Sequence, residues 1–204
     1  MIKPNNVEKL KSMLPFLSEL FSFHFQSQPN ENKEILSILS MCKLCTLSTS
    51  RLKTLLTCPS EILSIKTLTV TFCLFTELNQ LFKYIPMLEY LDTKVFGLES
   101  NDTISLENNQ AVHLKKLIIQ QFQEKFQYFQ MLIKRVPNLK NLTIFGAVGT
   151  DKIVASLWED LIRSSLPFLN ILKFELDYCR SDVKDVFVPN LQQFQSDFWQ
   201  KEHH

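Results

Sequence analysis

A short apolar phrase returns seven times along this chain. It reads as Leu17-Ser-Glu-Leu20, Leu44-Cys-Thr-Leu47, Ile65-Lys-Thr-Leu68, Leu88-Glu-Tyr-Leu91, Leu114-Lys-Lys-Leu117, Leu139-Lys-Asn-Leu142 and Leu169-Asn-Ile-Leu172. Successive starts lie 27, 21, 23, 26, 25 and 30 residues apart, about 25 on average. A third apolar residue follows two positions later as Val70, Ile119, Ile144 and Phe174, with Thr93 standing there in another unit. One Leu-x-x-Leu pair means little in a chain with 32 leucines, but seven at near-regular spacing demand a repeated structural unit. No such unit can bury its own apolar side alone, so neighbours must stack to make a continuous core.

A proline fixes the register. An apolar residue, proline, any residue and the first leucine of the phrase recur as Leu14-Pro-Phe-Leu17, Ile85-Pro-Met-Leu88, Val136-Pro-Asn-Leu139 and Leu166-Pro-Phe-Leu169. Proline ends a preceding helix and biases its neighbour towards extended backbone, which suits the start of a strand. Helical stripes lie between the phrases: Leu74, Leu78, Leu81, Phe82 and Ile85, then Phe126, Phe129, Leu132, Ile133 and Val136. Ile153, Leu157, Leu161 and Ile162 make a third, with Thr150-Asp151 as its expected cap. The unit is therefore strand, connection, helix, proline, next strand.

A period of about 25 falls within the roughly 20–29 residues of leucine-rich repeats. The expected fold is α/β: a leucine-rich-repeat solenoid, horseshoe-like, with parallel strands on the concave face and helices on the convex face. About seven units are expected, the first two degenerate. Residues 1–60 read as degenerate N-terminal repeats or a cap, 61–180 as leucine-rich repeats, and 181–204 as a C-terminal helix from a truncated repeat, with Phe194, Phe198 and Trp199 able to pack inward.

Composition narrows the function. Apolar residues are 45% and charged residues 21% of the chain, as expected for a globular protein. Twenty-two Lys and Arg against 21 Asp and Glu leave a net charge of +1, which argues against a broad basic surface for nucleic acid or anionic lipid. The polar start, Met1 to Asn6, does not read as a signal peptide. Thr69, Thr71 and Glu77 break the densest apolar run before it reaches membrane-spanning length. Five dispersed cysteines fit a reducing compartment, cytoplasmic or nuclear, better than a disulfide framework.

Motifs that carry chemistry are sparse. Cys42-x-x-Cys45 resembles a redox or zinc motif, but Cys45 falls inside an apolar phrase and no second ligand pair accompanies it. Filling of a repeat core explains both cysteines, and Cys73 as well. His24, His113, His203 and His204 form no cluster with a nucleophile or metal partner. Gly146-Ala-Val-Gly149 lacks the lysine and third glycine of a phosphate loop and reads as a strand-to-helix turn. Glu159-Asp160 reads as part of a solvated helix face. No catalytic residue, cofactor or metal site is assigned.

Side chains of a strand alternate between its two faces. With the leucines inward, the intervening residues face the concave side: Thr67, Thr69 and Thr71; Tyr90, Asp92 and Lys94; Lys116, Ile118 and Gln120; Asn141, Thr143 and Phe145; Ile171, Lys173 and Glu175. Tyr90, Ile118, Phe145 and Ile171 are apolar for a bare surface, and apolar groups rimmed by charge mark an interface. The expected partner-binding residues are Tyr90, Asp92, Lys94, Lys116, Ile118, Gln120, Asn141, Thr143, Phe145, Lys173 and Glu175, with Tyr90 and Phe145 as anchors.

Repeats of this length, the phrase Val136-Pro-Asn-Leu-Lys-Asn-Leu-Thr-Ile144, and the tract Leu166–Trp199 with Phe198-Trp199 resemble the leucine-rich-repeat portions of F-box proteins. The resemblance covers about residues 60–200. It implies a non-enzymatic module that recruits the substrate of a ubiquitin ligase. In that family an F-box binds the Skp1 adaptor of a cullin complex, a contact this chain would make only through a region outside it. Cys58-Pro-Ser-Glu-Ile-Leu63 is similar to the opening of an F-box, yet a repeat strand follows at once where helices are expected. Two other readings stand beside this one: a regulatory or structural repeat scaffold unrelated to ubiquitin, and a thiol enzyme using Cys42 and Cys45. The partner in the first two is a protein, with no nucleic acid and no membrane.

Overall fold

The computed structural model describes residues 22–25, 45–51, 64–96, 109–121, 125–147, 154–177 and 195–199. Among these residues, seven strands form one sheet in sequence order: β1 (Ser22–Phe25), β2 (Thr46–Arg51), β3 (Thr67–Leu74), β4 (Tyr90–Phe96), β5 (Lys116–Gln120), β6 (Asn141–Ala147) and β7 (Ile171–Asp177). Every neighbouring pair is parallel. Among the described residues, three helices are interposed: α1 (Phe75–Tyr84), α2 (Phe126–Ile133) and α3 (Ala155–Ser165). The protein is thus α/β with an all-parallel sheet whose strands are laid side by side in chain order.

The same backbone joint repeats at each step from β2 to β7. Outside the strands proper, the carbonyls of Cys45, Lys66, Glu89, Lys115 and Lys140 each accept two successive N–H groups of the next unit, at 2.8 to 3.1 Å. Cys45, for example, takes Lys66 and Thr67, and Lys140 takes Asn170 and Ile171. A second joint lies just upstream. Leu88, Leu114, Leu139 and Leu169 donate to Ile85, Ala111, Val136 and Leu166 three residues back, closing four β-turns at 3.1 to 3.3 Å. Proline occupies the second turn position in three of them, where its fixed φ is pre-set for the turn. Ala111-Val-His-Leu114 makes the same turn with Val112 in proline's place, so the proline marks the joint without being required for it.

The first unit is displaced from its sequence expectation. Phe23, not Leu20, pairs with Leu47, and Ser22 with Thr46. The repeating phrase there is Leu20-Phe-Ser-Phe23, three residues later than Leu17–Leu20. That phrase, its proline, the residues 58–63 and most of 181–204 lie outside the described residues.

Inward residues of the strands form a single core with one side of each helix. Leu68, Val70, Leu91, Val95, Leu117, Ile119, Leu142 and Ile144 pack with Phe75, Leu78, Leu81 and Phe82 of α1 and with Phe126, Phe129, Leu132 and Ile133 of α2. Glu77 in the first turn of α1 accepts the Leu74 N–H at 2.9 Å, satisfying a donor at the helix start. The buried side of α3 is Ala155, Trp158, Leu161 and Ile162. Trp158 is 7% exposed and Leu157 39%, so the indole, and not the adjacent leucine of the expected stripe, enters the core. The helix begins after Val154, and the expected cap Thr150-Asp151 lies outside the described residues. Trp158 sits 5.0 Å from Phe126, 4.8 Å from Phe129 and 4.5 Å from Phe174, centroid to centroid. Phe198, also buried, and Trp199 extend this aromatic cluster past β7, with Trp199 6.2 Å from Phe174.

One irregularity interrupts the sheet. Val70 pairs with Thr93 but Cys73 with Val95, so three residues of β3 run alongside two of β4. The extra residue inverts the alternation beyond it. Cys73, five residues after Leu68 and so out of phase with it, is 3% exposed, whereas Phe72 stands 46% exposed on the other side.

Candidate interaction face

Because the helices all share the leucine side of the sheet, the other side carries the functional candidates. Strand pairing places them in three rows. Tyr90, Lys116, Asn141 and Ile171 form the first; Asp92, Ile118, Thr143 and Lys173 the second; Lys94, Gln120, Phe145 and Glu175 the third. The expected partner-binding residues therefore share one face. With strands about 4.8 Å apart and two-residue steps of about 6.6 Å, the twelve positions span about 14 by 13 Å. Thr67, Thr69, Thr46 and Ser48 continue the first two rows towards β1 with small hydroxyl side chains.

On β4 and β5, and at Asn141 and Phe145 of β6, these side chains are half-buried. Ile171 and Lys173 on β7 are exposed, and Thr143, between Ile118 and Lys173, is almost covered at 9%. Lys116 Nζ lies 5.2 Å from the centre of the Tyr90 ring, a cation over an aromatic face. Gln120 Nε2 donates to Asp92 Oδ1 at 2.8 Å, joining rows two and three across β4 and β5. Partial burial, and secondarily the Asp92 carboxylate, raise the Tyr90 phenol above its ordinary pKa. Tyr90 is thus a neutral, positioned aromatic at physiological pH.

Glu89 stands one residue before the first row. It bridges Lys115 at 3.1 Å and Lys66 at 3.5 Å. The Lys115 hydrogen bond and charge, aided by Lys66, hold its carboxyl below the usual glutamate range.

The remaining candidates are scattered. Cys45 is half-buried directly before β2, and Cys42 lies outside the described residues. Cys73 is buried with its Sγ 3.0 Å from Thr93 Oγ1, and burial pushes its thiol pKa up to about 12. His24 and His113 are exposed on separate strands' units. Gly146 and Ala147 continue β6, so the first half of the glycine motif is strand and not turn; Val148 and Gly149 lie outside the described residues. Glu159 pairs with Arg163 at 3.1 Å and accepts from Ser196 at 3.2 Å, tying α3 to the segment before Phe198. Among the described residues, no three His, Cys, Asp or Glu side chains group as a metal site, and no helix is long and apolar enough to cross a membrane.

Sequence reasoning missed the exposed apolar side chains of the turns. Met87, Val112 and Phe168 stand at or beside the turn positions that proline marks, and that marker was the signal that could have found them. No protein-family model matches the chain, and no curated protein matches it.

Proposed function

We propose that this chain is a leucine-rich-repeat solenoid that binds another protein through the sheet face opposite its helices. The observation that carries the reading is the mixed surface of β4 to β7, where Tyr90, Ile118, Phe145 and Ile171 alternate with Asp92, Lys94, Lys116 and Lys173. Apolar anchors within a polar rim are the composition of a recognition surface. Regular strand spacing supports the solenoid reading, and repeat solenoids use such extended faces for binding. Recruitment of a ubiquitin-ligase substrate is the specific role we favour, resting on the resemblance to F-box repeat regions.

The test compares proteins captured by the chain with those captured by Tyr90→Ala/Phe145→Ala. Both anchors lie outside the core, so the double variant should keep its melting behaviour and lose its specific partner. A folded variant that retains the partner removes this face from consideration. If the partner's cellular level rises when cullin ligases are inhibited, the receptor role stands; an unchanged level assigns a scaffold.

A further inference from the structure

We propose that the edge of the sheet where the strands begin is a second docking surface, suited to an acidic segment of a partner protein that also carries large apolar side chains. The four stacked β-turns build it. Their second positions are Pro86, Val112, Pro137 and Pro167, all apolar, and Met87 and Phe168 follow at the third position of two of them. Met87, Val112 and Phe168 are exposed, Phe168 at 56%. Asn138 Nδ2 donates to the Val112 carbonyl at 2.8 Å, so the two central turns of the ridge touch. Proline and the turn hydrogen bonds fix its backbone, so little conformational freedom is lost when it is covered.

A basic strip runs beside the ridge. Two residues past each turn third position, at the repeated backbone joint, stand Glu89, Lys115, Lys140 and Asn170, with Lys66 at the equivalent place before β3. Among the described residues of this strip, three lysines stand with one carboxylate, and that carboxylate is shared between Lys66 and Lys115. Lys140 is exposed and has no carboxylate partner among the described residues. The whole chain carries only +1, so this local excess comes from placement and not from composition. Apolar groups beside lysines that outnumber the carboxylate they share complement a segment in which acids alternate with large apolar residues. The edge adjoins the sheet face at Lys116 and Ile171 but uses different side chains.

Selection of phage-displayed random dodecapeptides on the folded chain tests this. The selected peptides should be net acidic and rich in Leu, Phe or Trp, with binding that weakens as salt is raised. By fluorescence anisotropy, Lys115→Glu/Lys140→Glu and Met87→Ser/Phe168→Ser should each weaken them at least tenfold, while Tyr90→Ala/Phe145→Ala should not. All these positions lie outside the core, and thermal melts confirm that each variant is folded. Failure to enrich any peptide, or enrichment of neutral or basic ones, overturns the proposal. Sensitivity to the Tyr90/Phe145 pair alone overturns it too, while supporting the sheet-face reading. Concentration-dependent dimerisation abolished by the edge variants would assign the ridge to a second copy of the chain instead.

Discussion

Cys73 Sγ and Thr93 Oγ1 lie 3.0 Å apart in the core, one on β3 and the other on β4. They meet because β3 carries one residue more than β4 between Val70 and Cys73. Thr93 occupies a site where β3, β5 and β6 bury the aliphatic Val70, Ile119 and Ile144, and its hydroxyl finds the thiol and, at 3.5 Å, the Lys94 carbonyl. Burying a hydroxyl without such partners is costly.

The thiol gives a pH signature. Burial raises its pKa to about 12 from an ordinary 9, so the folded state holds this proton more tightly than the unfolded chain. The associated stability is fully present below pH 9 and is lost as pH rises from there towards 12. By pH 10 the loss should be about 1–2 kcal/mol, and Cys73→Ala should remove that component of the slope in denaturant titrations. In the native protein at pH 8, Cys73 should react with alkylating reagents only on the timescale of unfolding.

The phase of α3 can be read from two adjacent residues. Trp158→Ala empties the centre of the aromatic cluster and should cost about 3–5 kcal/mol. Leu157→Ala changes an exposed position and should cost less than about 1 kcal/mol. Equal costs in urea unfolding would contradict the assigned phase.

Val112 occupies the turn position that proline fills in three neighbouring units. Val112→Pro should raise stability by about 0.4–1 kcal/mol, because proline restricts the unfolded chain while fitting the folded turn. Differential scanning calorimetry would register this as a higher Tm; a lower one would mean that the Val112 backbone differs from its proline-bearing counterparts.

Register at the N-terminal strand is open to cross-linking. In a cysteine-free background, Ser22→Cys with Thr46→Cys should form a disulfide under mild oxidation, since paired strand positions fall within bridging distance. Glu19→Cys with Thr46→Cys, the pair demanded by the Leu17–Leu20 phrase, should not.

These tests fall where the sequence and the fold diverge. Parallel strands at the recurring phrase, and helices between several of them, follow from spacing alone, because a leucine two residues into each strand must always face the same way. The face positions from Tyr90 to Lys173 follow from the same alternation. Three features do not. Leu17-x-x-Leu20 and Leu20-x-x-Phe23 are equally good apolar phrases three residues apart, and only pairing with Leu47 chooses between them. Leu157 and Trp158 are neighbours of similar hydrophobicity, and which one faces inward depends on the rings of Phe126, Phe129 and Phe174. The extra residue in β3 is a backbone event with no glycine or proline to announce it.

The repeated joint has a further consequence. At each step from β2 to β7 the next unit meets one carbonyl of its predecessor, at Cys45, Lys66, Glu89, Lys115 and Lys140. Twenty-one residues separate Thr46 from Thr67 and thirty separate Asn141 from Ile171, yet both steps end in the same two hydrogen bonds. The spacing between strands therefore varies while the joint does not. New sequence inserted between strands would lengthen a side loop and leave the order of the face intact, so the surface can stay constant while its flanks are rewritten.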